Sequence, residues 1–137
     1  MSAAQPLFLN KLYSESMDLL EEAHNYLSYH PSARQALRQP NVWDAVFVNL
    51  QAMRLTSRMT QAMAWLLAQR AVQTGEMTLH QACGGDFSLG AEDICTDLDG
   101  HNDNRVPPSM QKLLERSHGI YMRVLRLDQA ARAKISA

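Results

Sequence analysis

The sequence predicts an all-α protein, a three-helix bundle with one long central helix, a short extra helix and an acidic loop before the last helix. Residues 41–75 contain no proline, and their only glycine is the terminal Gly75, so nothing inside this segment interrupts a helix. Apolar residues recur there at helical spacing, and two further segments show the same period. At 137 residues we expect one domain, residues 1–137, which can bury a core.

The first helix is predicted over residues 7–29, where apolar residues follow the helical period. Pro31 then interrupts the pattern, because the residue before a proline is pushed out of the helical region. Residues 32–39 are long enough for a further turn or two of helix. The first predicted helix therefore ends close to the start of the central one.

The central helix is predicted over residues 41–74. Its apolar residues form two adjacent stripes: Val46, Leu50, Met53, Ala64, Leu67 and Ala71 in one, and Val42, Ala45, Ala52, Met59, Met63 and Leu66 in the other. Between Ala62 and Ala68 the helix is apolar almost all round, so we expect neighbours on more than one side. Gly75 follows the helix at the position that favours a left-handed cap.

After the central helix, Thr78 and Gln81 match the capping-box pattern and predict a short helix over residues 78–83. Residues 84–106 are rich in Gly, Asp and Asn without a sustained period, which predicts a surface loop. We expect partial ordering of this loop by its apolar residues, Phe87, Leu89, Ile94 and Leu98. The last helix is predicted over residues 108–133, with proline in its first turn.

Charge is distributed unevenly along a chain whose net charge is only −1. The first helix and the loop are acidic, whereas the central and last helices are rich in arginine. We expect the acidic first helix to pack against basic helices of the same bundle. Nucleic-acid binding through the last helix is an alternative that predicts salt-sensitive DNA binding. We expect no nucleic-acid partner.

The sequence predicts a cytoplasmic protein with no membrane association. No apolar run is long enough to span a bilayer, and the first residues lack the basic region of an export signal. The two cysteines, Cys83 and Cys95, are expected to be free thiols in a reducing compartment.

Four residues of zinc-binding type fall near the loop: His80, Cys83, Cys95 and His101. His80 and Cys83 have a suitable helical spacing, but the spacing of Cys95 and His101 is unlike common zinc patterns. We therefore expect no metal ligand and no cofactor. A metal- or ligand-binding module that uses residues 80–103 is the alternative to be tested.

No set of residues converges on catalysis. The five histidines are scattered over different predicted elements, and no serine or cysteine lies in a nucleophile turn or beside a base motif. We expect a protein that is not an enzyme and has no catalytic residues.

A partner surface is predicted on the central helix at Trp43, Phe47, Arg54 and Arg58. Trp43 and Phe47 lie on one face near the start of the helix, where a second subunit could cover them. Two neighbouring helices hardly enclose a helix this long and this apolar, so we expect a homodimer. The alternative for the two arginines is ion pairing with acids of the first helix: Glu15, Asp18 and Glu22.

Three runs of the central region carry a family resemblance: residues 53–59 (MRLTSRM), 64–72 (AWLLAQRAV) and 75–78 (GEMT). They resemble the signature of the alphaproteobacterial regulator of CtrA degradation (RcdA) family, also described as a domain of unknown function. Parts of the first and last helices are similar too, namely residues 12–13, 22–27 and 114–128. The loop is outside the resemblance.

The resemblance implies a dimeric three-helix bundle that acts as an adaptor for the ClpXP protease. Such an adaptor binds a primed protease complex through the response-regulator-like protein CpdR and delivers cell-cycle regulators such as CtrA. The family's flexible C-terminal tail is not matched, since the sequence ends a few residues after the last predicted helix. A shortened family paralogue with a different protein partner is therefore the alternative.

Overall fold

The computed structural model describes residues 4–136, and within that range the chain is helical with no β-strand. It contains six α-helices and one 3-10 turn: α1 (Ala4–Tyr29), α2 (Pro31–Leu37), α3 (Val42–Gln73), α4 (Leu79–Ala82), the 3-10 turn (Gly85–Phe87), α5 (Glu92–Cys95) and α6 (Pro108–Ser136). This confirms the predicted all-α bundle with one long central helix. No helix of the described range is long and apolar enough to cross a membrane.

The bundle is organised around α3, which packs lengthwise against both α1 and α6. Its inner face places Leu55, Met59 and Leu66 in one continuous core. Leu12 of α1 and Leu114 of α6 join that core from either side. Burying large aliphatic side chains contributes ~1.5–3 kcal/mol each, so the three long helices stabilise one another.

The helix boundaries follow local sequence signals. The Asn41 side chain caps α3 by accepting a hydrogen bond from the Asp44 amide at 3.1 Å. Thr78 and Gln81 form the predicted capping box at the start of α4. Gly75, with φ of +81°, ends α3 in the left-handed conformation that glycine adopts without strain.

Ion pairs join the acidic α1 to the basic α6. Arg116 donates to Glu22 at 2.7 Å, and Arg123 donates to Glu15 at 2.7 Å. The predicted packing of acidic against basic helices is therefore confirmed. These pairs are largely exposed, so each contributes ~1 kcal/mol or less and serves mainly to align the two helices.

The two apolar stripes of α3 have opposite environments. The stripe that includes Met59, Met63 and Leu66 is buried from Met59 onward. The stripe that includes Leu50 and Met53 is exposed to solvent. The reason is geometric, since two neighbouring helices cover only part of the circumference of a helix. The single chain thus leaves one apolar side of its central helix uncovered.

Candidate functional site: two faces of the central helix

We define the outer face of α3 by six exposed apolar residues that share one side of the helix: Trp43, Val46, Leu50, Met53, Ala64 and Leu67. Trp43 is 79 % exposed, Met53 64 % and Leu50 52 %. Positions three and four residues apart share one side of a helix, so these residues form a single stripe. At ~1.5 Å per residue it is about 36 Å long.

The outer face bears no charge along its length. Between Met53 and Ala64 its two intervening turns are occupied by Ser57 and Thr60, which are neutral. Arg54 lies at its edge, and its side chain is only 14 % exposed because it points into the loop. A long, uncharged, apolar surface of this kind is characteristic of a protein interface.

Trp43 and Phe47 have different environments, although both were predicted to belong to one partner surface. The Phe47 ring is half-buried, packs against the core, and lies under the Arg105 guanidinium at 3.7 Å from the ring centroid. Arg105 is held there by Asp103 at 2.8 Å and Asp44 at 3.5 Å. The chain itself thus covers Phe47, whereas Trp43 stays available on the outer face.

The opposite side of α3 carries a completely buried arginine, Arg58. Its Nε donates to the Cys95 carbonyl at 2.8 Å, and its Nη2 donates to the Asp97 carbonyl at 2.7 Å. Nη1 donates to the Leu114 carbonyl at 2.9 Å and the Ser117 hydroxyl at 3.2 Å. One guanidinium therefore joins α3, α6 and the loop.

This placement corrects two sequence-based expectations about Arg58. A side chain with no exposed surface does not reach a partner, so Arg58 does not belong to a partner surface of this fold. Pairing of Arg54 and Arg58 with acids of α1 is also wrong, because both bind the loop instead. Guanidinium donors match the backbone carbonyls of irregular chain, which otherwise stay unpaired.

Arg54 adds a second attachment one turn earlier. It lies 3.5 Å from the Asp97 carboxylate and donates to the Asp99 carbonyl at 3.1 Å and to Gln51 Oε1 at 2.7 Å. Gly100, at φ +88°, passes close to the same glutamine. We call Gln51, Arg54, Arg58 and the loop atoms that they bind the arginine node.

Burial and the positive charge of the node shift nearby titrating groups. Burial, followed by the charge on Arg54, lowers the pKa of Arg58 to about 10, so the guanidinium remains charged at neutral pH. Burial and then Arg58 lower the pKa of His101, and the same two causes lower that of His118. Because arginine only donates, His101 Nε2, at 3.3 Å from Arg58 Nη2, accepts as the neutral ring.

One of the four apolar residues expected to order the loop does so, since half-buried Leu89 packs against the core. Phe87, Ile94 and Leu98 are exposed, so the prediction that they fold back onto the bundle is wrong. Cys95, His101 and Val106, which were not predicted to anchor the loop, are buried. Glu92, Asp93 and Asp99 of the same loop are exposed, as Ile94 and Leu98 are. We call these five residues the loop patch.

The four residues of zinc-binding type do not share one site. His80 and Cys83 line a shallow cavity with Arg132, whereas Cys95 and His101 lie at the arginine node. Among the side chains that the structure describes, which exclude that of Asp86, no group of three or more His, Cys, Asp or Glu is positioned to hold a metal ion. Burial raises the pKa of the Cys95 thiol, which disfavours the thiolate form that a metal requires.

Two features of these surfaces escaped the sequence analysis. The sequence carries one signal for the burial of Arg58, which is its position four residues before Ala62, the start of the almost wholly apolar segment. The exposure of Leu50 and Met53 has none, because an apolar stripe looks the same whether its own chain or another covers it.

Comparison with known proteins gives a family without an assigned activity. A family model described as "Protein of unknown function (DUF1465)" matches residues 1–137. No curated protein and no solved structure matches the chain. The outer face, the arginine node and the loop patch are thus the observations from which a function can be argued.

Proposed function

The chain belongs to the DUF1465 family of proteins of unknown function, and we propose that it is a non-enzymatic adaptor in regulated proteolysis. In this proposal it is a cytoplasmic homodimer that tethers cell-cycle regulators to the ClpXP protease. The observation that carries the proposal is the uncharged outer face of α3, whose tryptophan, leucine and methionine are exposed in the described chain. Surfaces for binding other proteins are what an adaptor needs.

The occupant proposed for the outer face is a second copy of the chain. The face is about 36 Å long and neutral from Trp43 to Leu67, so two copies meet without like-charge repulsion in either orientation. Stable interfaces bury about 800 Å² per partner and concentrate aromatic and methionine side chains in their core. Trp43, Leu50 and Met53 supply such side chains to each copy.

The loop patch is the surface proposed for cargo or protease contacts. It combines three acidic side chains with exposed Ile94 and Leu98, and the arginine node fixes its backbone. A preformed patch loses less entropy on binding than a free loop does. Two patches per dimer also allow bivalent attachment, which raises the effective concentration of a bound substrate without any chemistry by the adaptor.

The protease assignment is supported by the sequence runs at residues 53–59 and 64–72, which resemble the regulator of CtrA degradation family. It is tested by following CtrA degradation by purified ClpXP and CpdR with and without this protein. We expect acceleration that saturates as the protein is added. No acceleration of CtrA or of other cell-cycle regulators by correctly folded protein would contradict the proposal.

Two matched variants separate dimerisation from folding. Leu50→Asp places one negative charge in the outer face, and Gln129→Asp places the same charge on the exposed side of α6. We expect Leu50→Asp to be monomeric in sedimentation experiments and at least tenfold less effective in delivery. Gln129→Asp is expected to behave like the wild type. A dimer that survives Leu50→Asp would rule out this interface.

A further inference from the structure

A separate cavity lies at the end of the bundle, away from the outer face and the loop. It forms where the start of α1, the last turns of α3, α4 and the end of α6 meet, and its volume is about 240 Å³. Seven of its nine lining residues are apolar. An apolar cavity of ~150 Å³ is already large enough to admit benzene, so this one has room for a small organic molecule.

The cavity wall is rigid on one side. The indole of Trp65 lines it, and Trp65 Nε1 donates to Asp128 Oδ1 at 3.0 Å. The other carboxylate oxygen of Asp128 accepts from Arg132 Nε at 2.9 Å. The negative charge of Asp128 is therefore already paired, and the indole ring is held in place as an apolar surface.

Two polar side chains complete the lining, Gln69 and Lys134. Gln69 is only 4 % exposed, yet its amide Nε2 has no hydrogen-bond partner. A buried donor without an acceptor is costly for a folded protein, so an acceptor that reaches Gln69 Nε2 would stabilise the fold. Lys134 is the only charged residue of the lining. Gln69 thus places an unpartnered, buried donor in the cavity wall, and exposed Lys134 places a positive charge at its edge.

We propose that this cavity binds a small amphipathic carboxylate. Its apolar chain or ring would lie against Trp65, Val72 and Leu127, while its carboxylate accepts a hydrogen bond from Gln69 Nε2 and pairs with Lys134. Ligand sites commonly combine an apolar enclosure with a few polar groups that fix orientation. This site is independent of the adaptor proposal, since it shares no residue with the outer face or the loop patch.

Octanoate is the probe that tests the proposal. The chain contains two tryptophans, so Trp43→Phe leaves Trp65 as the sole fluorescent reporter of the cavity. In this background we expect saturable one-to-one binding with a dissociation constant of about 0.1–1 mM, seen by fluorescence and by calorimetry. Octanol, which keeps the chain and loses the charge, is expected to bind about fivefold more weakly.

Three variants of the cavity lining, with one control on the exposed side of α6, show where the ligand binds. Gln69→Leu removes the unpartnered donor without changing the size of the side chain much, so its thermal midpoint should not fall, while octanoate affinity drops at least tenfold. Lys134→Met should reduce octanoate affinity about fivefold without affecting octanol, and Lys112→Met on the exposed side of α6 should change neither. Ala131→Phe fills the cavity and should abolish binding of both molecules.

The proposal fails if octanoate shows no saturable binding at 5 mM, about fivefold above the weakest expected constant. It also fails if octanol binds as tightly as octanoate, or if Gln69→Leu binds octanoate like the wild type.

A second experiment, with a peptide that ends in leucine and has a free carboxylate, tests the source of the ligand. Displacement of octanoate by that peptide, and not by its C-terminal amide, would identify a protein C-terminus as the source of the same chemistry.

Discussion

The arginine node and the outer face lie on the same helix, α3. Both depart from the usual distribution, in which charged side chains are exposed and apolar side chains are buried. Arg58 is completely buried and Arg54 nearly so, whereas Trp43 is 79 % exposed. Charged side chains are rarely buried without partners, and large apolar patches are rarely left exposed. Each departure has its own physical explanation, and the two explanations differ.

At the node, the departure is resolved within the chain. The last residue of α5 and the irregular segment after it have carbonyl groups without a helical partner, and the donors of Arg58 satisfy those of Cys95 and Asp97. At the outer face nothing within the described chain resolves the departure. The comparison teaches that a buried charge is explained by its contacts within the chain, whereas an exposed apolar stripe indicates a partner outside it.

The largest expected effect comes from Arg58→Met, which tests whether the node is structural. This change removes the donor from two carbonyl oxygens, that of buried Cys95 and that of half-buried Asp97. We expect the free energy of unfolding to fall by about 3–5 kcal/mol, measured by urea denaturation. Hydrogen exchange should show the loss of protection concentrated in residues 89–106.

Arg126→Met is the control for Arg58→Met, since Arg126 is exposed on α6. It should change the free energy of unfolding by no more than ~0.5 kcal/mol. If both variants were equally stable, Arg58 would not fix the loop, and the contrast between the two regions would disappear.

Gly100→Ala is the next largest change and examines how closely the loop approaches α3. The backbone there has φ +88°, and an added Cβ would lie 2.6 Å from the Cδ of Gln51, whose Oε1 accepts from Arg54. We expect the free energy of unfolding to fall by about 2–3 kcal/mol because the φ angle is strained and Gln51 is displaced. Gly85→Ala in the same loop has open space and should be nearly neutral in the same denaturation measurement.

The sequence predicted the fold better than the surfaces, and the reason lies in what each depends on. The Thr78 capping box and the Gly75 cap are local signals, so they could be recognised directly. The burial of Arg58 depends on carbonyl groups 37 and 39 residues away, which no periodicity reveals. The orientation of Leu50 and Met53 depends on which side of α3 is covered by α1 and α6, a property of the whole bundle.

Acidification is expected to lower the stability of the fold by a smaller amount, through the two histidines next to the arginine node. The pKa values of His101 and His118 lie below 6.5 in the folded chain because His101 is buried and His118 half-buried, both near the charge of Arg58. The unfolded chain therefore binds protons first as the pH falls through 6.5. Stability is fully present above that pH and is lost progressively below it.

Thermal unfolding between pH 7.5 and 5.5 measures this loss. We expect His101→Gln, which keeps an acceptor for Arg58 and does not titrate, to flatten the pH dependence of the midpoint. His80→Gln removes an exposed histidine and should leave the slope as it is. An unchanged slope in His101→Gln would show that this ring is not coupled to folding.

The smallest effect on the subunit is expected at the outer face and gives the most direct comparison of the two sides of α3. Met53 is 64 % exposed and Met59 is 1 % exposed, so the same change to serine samples both sides of one helix. Met59→Ser should lower the free energy of unfolding by about 3 kcal/mol or more. Met53→Ser, measured in dilute protein, should lower it by less than ~0.5 kcal/mol.

Dimerisation links stability to concentration, so the thermal midpoint of the wild type should rise with protein concentration and that of Met53→Ser should rise less. Equal concentration dependence in both proteins would place the subunit contact elsewhere and leave the exposure of the outer face without its proposed explanation.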